Sequence, residues 1–175
     1  MGGVALRVLV AVVALAALTV PAACGSSPGT SWELAPFRSH LGEYAALERA
    51  PAARTASPIE GKVIFVKTGR TGVRYDYILE FERRHRGLLA YDPAEVGAVV
   101  FVRELYDQLG SYDGGGRALV CFCTLTVVDR RSGEVVARRT FTGGPPPTCA
   151  PAGRDVAGPL PLCEMMDFVA GLAGR

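Results

Sequence analysis

Four cysteines, Cys121, Cys123, Cys149 and Cys163, crowd the last third of this 175-residue chain, and a fifth, Cys24, stands alone behind an apolar N-terminal run. Thiols so arranged bind a metal, exchange electrons or pair as structural bridges. A structural zinc site sets its thiolate pairs a few residues apart on turns, whereas Cys121 and Cys123 alternate within the strand-like run Arg117–Val128. A thiol–disulfide enzyme presents Cys-x-x-Cys at a helix N-terminus, where the dipole lowers one thiol pKa. Cys121-Phe122-Cys123 has neither the spacing nor the helix. Alternate Cβ atoms on one strand face lie roughly 7 Å apart, beyond the usual bridge separation of about 3.5–4.5 Å, so these two do not bond to each other. The expectation is two disulfides, each joining Cys121 or Cys123 to Cys149 or Cys163, at about 2–4 kcal/mol a bridge. Such bridges would staple the strand to the C-terminal loop and helix. The competing readings are a four-thiolate metal site, redox-active thiols and unpaired core cysteines.

The other reactive side chains form no comparable set. The two histidines, His40 and His85, stand in no recognisable catalytic motif and are read as surface residues. Arg83-Arg84-His85-Arg86 is the densest basic stretch. One short cluster without interleaved aromatics makes no nucleic-acid surface, so it is read as a solvated turn balanced by Glu80 and Glu82. The nucleophile elbow, the phosphate-binding loop and the His-Glu-x-x-His helix are all missing from the sequence. Asp113-Gly114-Gly115-Gly116 is read as a wide hairpin turn rather than a cation site, and Pro145-Pro146-Pro147 as a stiff exit from a sheet rather than a polyproline ligand. No catalytic, metal or cofactor-binding residue is assigned, and no cofactor is expected. Nineteen basic and seventeen acidic residues give a net charge of +2. Loss of residues 1–23 would remove Arg7 and leave +1, a balance that implies no nucleic-acid partner.

Gly2 to Ala23 carries one charge, Arg7, and closes with Pro21-Ala22-Ala23. A weakly positive start, an apolar run and small residues follow the order of a secretory signal. Val8–Val20 is short of the about 20 residues that a membrane span needs. Residues 1–23 are therefore read as a signal peptide, with an uncleaved membrane anchor as the alternative. Val20-Pro21-Ala22-Ala23-Cys24 resembles the lipobox of bacterial lipoproteins, with Pro21 where an aliphatic residue usually stands. That resemblance implies acylation at Cys24 and a chain held to membrane lipid in the cell envelope. Ordinary cleavage near Ala22 or Ala23 would instead release a periplasmic or secreted protein with a free thiol. Export supplies the oxidising compartment that disulfides require.

The elements that must position these residues follow from local pattern. Residues 24–58 are read as a flexible tether, rich in Ser, Gly and Pro at its ends, with a short amphipathic helix allowed between Phe37 and Ala50. The folded unit is expected over residues 59–175. Val63–Lys67 and the alternating Tyr75–Phe81 read as two strands of a hairpin. Ala98–Leu105, extending weakly to Tyr112, pairs through the glycine turn with Arg117–Val128, whose two apolar faces place it centrally in the sheet. Glu134–Phe141 follows the turn Asp129–Gly133. Leu162, Met165 or Met166, Val169 and Leu172 recur at helical spacing behind Pro161.

The fold expected is α+β, a small antiparallel sheet of four or five strands with a C-terminal helix on one face. An all-β sandwich or barrel with a terminal helix is the alternative. Asp92–Val100, Gly110–Gly116 and Val127–Ala137, followed by Phe141-Thr142-Gly143-Gly144, resemble uncharacterised exported or lipid-anchored bacterial domains over about residues 90–144. The resemblance carries no activity with it. The function expected is a non-enzymatic binding or structural module of the cell envelope, taking a protein, peptide or glycan. A small envelope hydrolase with a site built only in three dimensions is the alternative.

Overall fold

Two long strands, β2 (Val96–Ser111) and β3 (Arg117–Asp129), form an antiparallel hairpin that carries the rest of the molecule. The computed structural model describes residues 34–52, 59–67 and 72–173. The signal peptide, Cys24 and the early tether expected over residues 1–33 lie outside them. Val, Ala and Phe fill the first half of β2, as a strand buried on both faces requires. The turn between the strands uses Gly115 at φ +89°, which a side chain rarely adopts, and closes with the Tyr112 N–H donating to Gly116 O at 2.8 Å. β3 turns into β4 (Glu134–Thr142) through Asp129–Gly133. There the Asp129 carboxylate accepts from Arg131 N–H at 2.8 Å, and Gly133 takes φ +67°.

β1 (Lys62–Lys67) lies on the far side of β2 and runs parallel to it. Parallel neighbours need a crossover, and α2 (Tyr75–His85) supplies it. The sheet order is β1-β2-β3-β4, and the short β5 (Val156–Ala157) pairs in parallel with β3 at Ala118 and Leu119, beyond the end of β4. The α+β class, the strand number, the central β3 and the C-terminal helix α3 (Leu162–Ala173) are as expected, in a single open sheet rather than a sandwich or barrel. Two features differ. The sheet is mixed, not purely antiparallel, and residues 75–81 are helical instead of the second strand of a hairpin. Tyr77, Ile78 and Phe81 are the buried residues, at spacings of one and four that only a helix brings to one face. Ile78, the residue that breaks the strand-like alternation, carried that signal.

Strand register collects Phe65, Val100, Val102, Cys123, Leu125 and Phe141 on one sheet face. α2 and α3 cover it. The Phe65 ring lies 5.2 Å from Phe81, and Phe141 meets Phe168 edge-on at 5.7 Å. Asp167 of α3 accepts from Arg84 at 3.2 Å and sits 2.8 Å from His85 Nε2, tying the two helices together. The basic stretch expected to be a solvated turn thus closes α2, where its charges suit the helix C-terminus. The structure also carries the packed unit N-terminal of Ile59. The segment Leu34–Ala52, with α1 (Leu41–Ala46), brings fully buried Phe37 and Tyr44 into the same core. It is held by the Val135 N–H bond to Pro51 O at 2.7 Å and by Arg130, which stacks over Tyr44 and bonds Glu43 at 3.0 Å. Among the described residues no helix is long and apolar enough to cross a membrane.

The start of β2 passes so close to residue 60 that a Cβ on Gly97 would lie 1.8 Å from Glu60 O. Gly97→Ala is expected to destabilise the fold by about 1–3 kcal/mol, measured by denaturant unfolding. Gly110→Ala, with open space around the position, serves as the control for the loss of a strand glycine.

Candidate functional site

The β2–β3 register sets Glu104 opposite Cys123 and Tyr106 opposite Cys121, all on the helix-covered face. The helix start then brings Arg74 and Tyr77 to the same spot. Arg74 Nη2 donates to Glu104 Oε1 at 2.6 Å, and the Tyr77 hydroxyl donates to that same oxygen at 2.8 Å. Tyr106 OH donates to Glu104 Oε2 at 3.1 Å. Cys123 Sγ lies 3.2 Å from the Tyr77 oxygen. Because that hydroxyl's proton is committed to Glu104, the thiol is the donor in this contact. Arg74 also grips Asp76 through two nitrogens at 3.1 and 2.7 Å, and its guanidinium sits 4.6 Å from the Tyr77 ring centroid. Beside the cluster opens a cleft of about 310 Å³, floored by Cys121 and walled by Gly158 and Leu160.

The electrostatics make this cluster quiet. Burial pulls the Glu104 carboxyl upward, but hydrogen bonds from Arg74 and Tyr77 outweigh it and hold the group below its usual range. Asp76 is likewise lowered, the Arg74 bond overcoming burial. Burial pushes the Cys123 thiol up to about 11 and raises Cys121 as well. Near neutral pH both thiols are protonated, hence poor nucleophiles, and Glu104 is an ionised acceptor with both oxygens engaged. The arrangement holds α2 onto the sheet. It offers neither an activated nucleophile nor a carboxylic acid ready to give up a proton.

The two disulfides expected from the sequence are not formed: Cys121, Cys123, Cys149 and Cys163 are free thiols. Cys121 and Cys123 do share the face covered by the helices, and both are buried there. Cys149, in the loop after β4, and Cys163, on the first turn of α3, are exposed. The covering elements present other side chains to the buried pair, Tyr77 to Cys123 and the Ala157–Leu160 segment to Cys121. Among the described residues no three of His, Cys, Asp and Glu gather in a way that would hold a metal ion. The histidines take separate roles: His40 faces Glu43 at 3.2 Å, and His85 joins α2 to α3.

Two further clefts lie toward the opposite end of the sheet. The larger, about 810 Å³, is bordered by Glu60, Glu95, Asp129, Arg130 and Arg131. Its charges are paired, Lys62 with Glu95 at 2.7 Å and Arg131 with Glu60 at 2.8 Å. The smaller, about 510 Å³, is bordered by His40, Asp92 and Arg130.

One long stretch of strand edge has no strand partner among the described residues. β1 pairs with β2 only as far as Val102. From Arg103 to Ser111 no described strand flanks the outer side of β2. Leu105, Tyr106 and Leu109 are 52, 50 and 62% exposed, and Tyr75 and Leu79 of α2 are exposed too. Sequence reasoning read Arg103–Leu105 as the end of a strand and the rest of this stretch as its weak extension, and it missed Arg74, Glu104 and the edge itself. The available signal was its change of composition, from Val and Phe to the mixed charged and large apolar run Arg103–Leu109. Comparison with protein-family models, with curated proteins and with solved structures finds no match to this chain.

Two outcomes test the cluster. A maleimide applied to the native protein should label Cys149 and Cys163, while Cys121 and Cys123 react only in denaturant. A native chain offering no thiol without reductant would overturn that arrangement. Because Glu104 and Asp76 are lowered in the folded state, their contribution to stability is complete above the unfolded carboxylate range. It is lost as pH falls through the native values, so unfolding free energy should decline below about pH 4. Glu104→Gln should flatten that decline.

Proposed function

We propose that this protein is a non-enzymatic binding module of the bacterial cell envelope, and that its working surface is the outer edge of β2. The observation that carries the reading is the contrast between the two polar features. The Glu104 cluster spends its hydrogen bonds internally, with both thiols protonated. The edge from Arg103 onward has no described strand beside it and bears large apolar side chains. An unpaired edge of this kind is a liability unless blunted or used, and strand addition is the common use, with backbone hydrogen bonds supplying affinity. A polypeptide is the partner chemistry that fits. The apolar start, the lipobox-like Ala22-Ala23-Cys24 and the Ser/Gly/Pro-rich residues after it support an exported module held to membrane lipid through acylated Cys24.

The alternative, a small envelope hydrolase, draws on the His85–Asp167 pair at 2.8 Å. Neither residue borders any of the three clefts described above, and His85 packs against the Phe81 ring at 5.3 Å. A positioning role between two helices accounts for both partners.

A photo-cross-linking residue in place of Leu109, in the full chain in its own envelope, should give light-dependent polypeptide adducts. The same residue in place of Arg131, on the far turn, should not. Tyr106→Pro, which removes an edge N–H, should abolish the Leu109 adducts. Absence of adducts at Leu109, or adducts indifferent to the proline, would overturn the edge reading. Intact mass from the same fraction should show a chain beginning at diacylglyceryl-modified Cys24. A chain that keeps residues 1–23 would overturn the lipid anchor.

A further inference from the structure

We infer that the occupant of the β2 edge is a second copy of this chain, paired antiparallel across a two-fold axis at Leu105. The inference rests on the reading of that edge as the binding surface and names its partner.

The hydrogen-bond direction along β2 comes first. Arg130 N–H donates to Gly97 O at 2.8 Å. In an antiparallel pair the residues alternate between bonding their neighbour and turning away from it. With the register unbroken from Ala98↔Asp129 to Gln108↔Leu119, odd-numbered residues from Gly97 to Asp107 bond to β3. Glu104 and Tyr106 therefore turn their N–H and C=O groups to the open side. β1 bounds this stretch at Val102, and the irregularity between Gln108 and Gly110 bounds it at the other end. The regular free edge is Arg103–Asp107, and its midpoint is Leu105.

A two-fold axis at that midpoint uses the whole regular edge and makes an isologous contact, the commonest way a chain meets its own copy. It sets Glu104 against Tyr106 of the second copy as a hydrogen-bonded pair, twice by symmetry, so every outward N–H and C=O of the stretch gains a partner. It sets Leu105 against itself as a non-hydrogen-bonded pair, where side chains approach most closely. It also sets Arg103 against Asp107 of the second copy, again twice. Both are exposed, and neither makes an ion pair among the described residues. Opposite charges directly across a strand pair stabilise it, and like charges oppose it. Other registers lose this match. An axis at Tyr106 places apolar Leu105 against Asp107, and an axis at Asp107 places that carboxylate against its own copy. Charge thus selects the register that the bounds of the edge also select.

The test uses the full chain in detergent. Sedimentation should show a concentration-dependent monomer–dimer equilibrium. Arg103→Asp and Asp107→Arg should each weaken the dimer by roughly tenfold or more, since each creates two like-charge pairs. The double swap should restore it, which a mere folding defect would not allow. Leu105→Cys under mild oxidation should give a covalent dimer whose cross-linked peptide joins Cys to Cys at position 105, because the opposed Cα atoms of such a pair lie about 4.5 Å apart. Tyr106→Cys should not, since that position does not meet itself. A monomer at every concentration, a single swap without effect, a double swap without rescue, or equal cross-linking at 105 and 106 would overturn the inference. If the dimer fails while Leu109 adducts to other polypeptides persist and remain sensitive to Tyr106→Pro, only the second-copy assignment falls. If both fail, the edge reading falls with it.

Discussion

The antiparallel ladder between β2 and β3 is the interaction on which the rest of the structure depends. Every other strand attaches to one of these two: β1 to the first half of β2, β4 to the second half of β3, and β5 to the part of β3 that β4 leaves open. The helices pack on the face that this ladder defines. Because β2 outruns β1, the same pairing that builds the core also produces a strand whose outer side has no described partner. Buried core and exposed edge are two stretches of one element. The division between them falls at Val102, where burial gives way to exposure.

The same ladder decides what the polar residues become. Opposing Glu104 to Cys123 and Tyr106 to Cys121 sets a carboxylate, a phenol and two thiols in one place, and the start of α2 adds the Arg74 guanidinium and the Tyr77 phenol. Such a group looks reactive as a collection of types. Its geometry removes the reactivity, since each donor points at an acceptor that is already charged or already shared. Burial raises the thiols, and Arg74 with Tyr77 stabilises the ionised carboxylate. A satisfied, partly buried network of this kind specifies how a helix seats on a sheet.

Much of the sheet was legible in residue patterns. β3 alternates apolar residues on both faces, which only a central strand needs, and the turns on either side carry the glycines that positive φ demands. α3 was legible from its apolar spacing behind Pro161. The first crossover was not. Tyr75, Tyr77, Leu79 and Phe81 satisfy a two-residue period as well as most strands do, and local pattern cannot weigh that against Tyr77, Ile78 and Phe81 on one helical face. The choice is made by Phe65, which accepts Phe81 at 5.2 Å. The cysteines were misleading for a related reason. Their shared face was correct, but what that face touches depends on side chains far away in sequence.

By itself, the sequence determined the α+β class, the central place of β3, the glycine turns, the C-terminal helix and the absence of any familiar catalytic motif. These follow from short-range rules, namely strand and helix periods, turn stereochemistry and the burial preference of apolar side chains. Only the tertiary structure decided that β1 and β2 run parallel, that α2 replaces a strand, that Phe37 and Tyr44 belong to the core, and that Arg74 and Glu104 meet. It alone decided where β1 stops and where β2 runs on without a described neighbour. Those outcomes depend on contacts between residues far apart in sequence, such as Phe65 with Phe81, Lys62 with Val96 and Arg74 with Glu104. No local period encodes them, because they are settled by which surfaces remain to be buried once the ladder has formed.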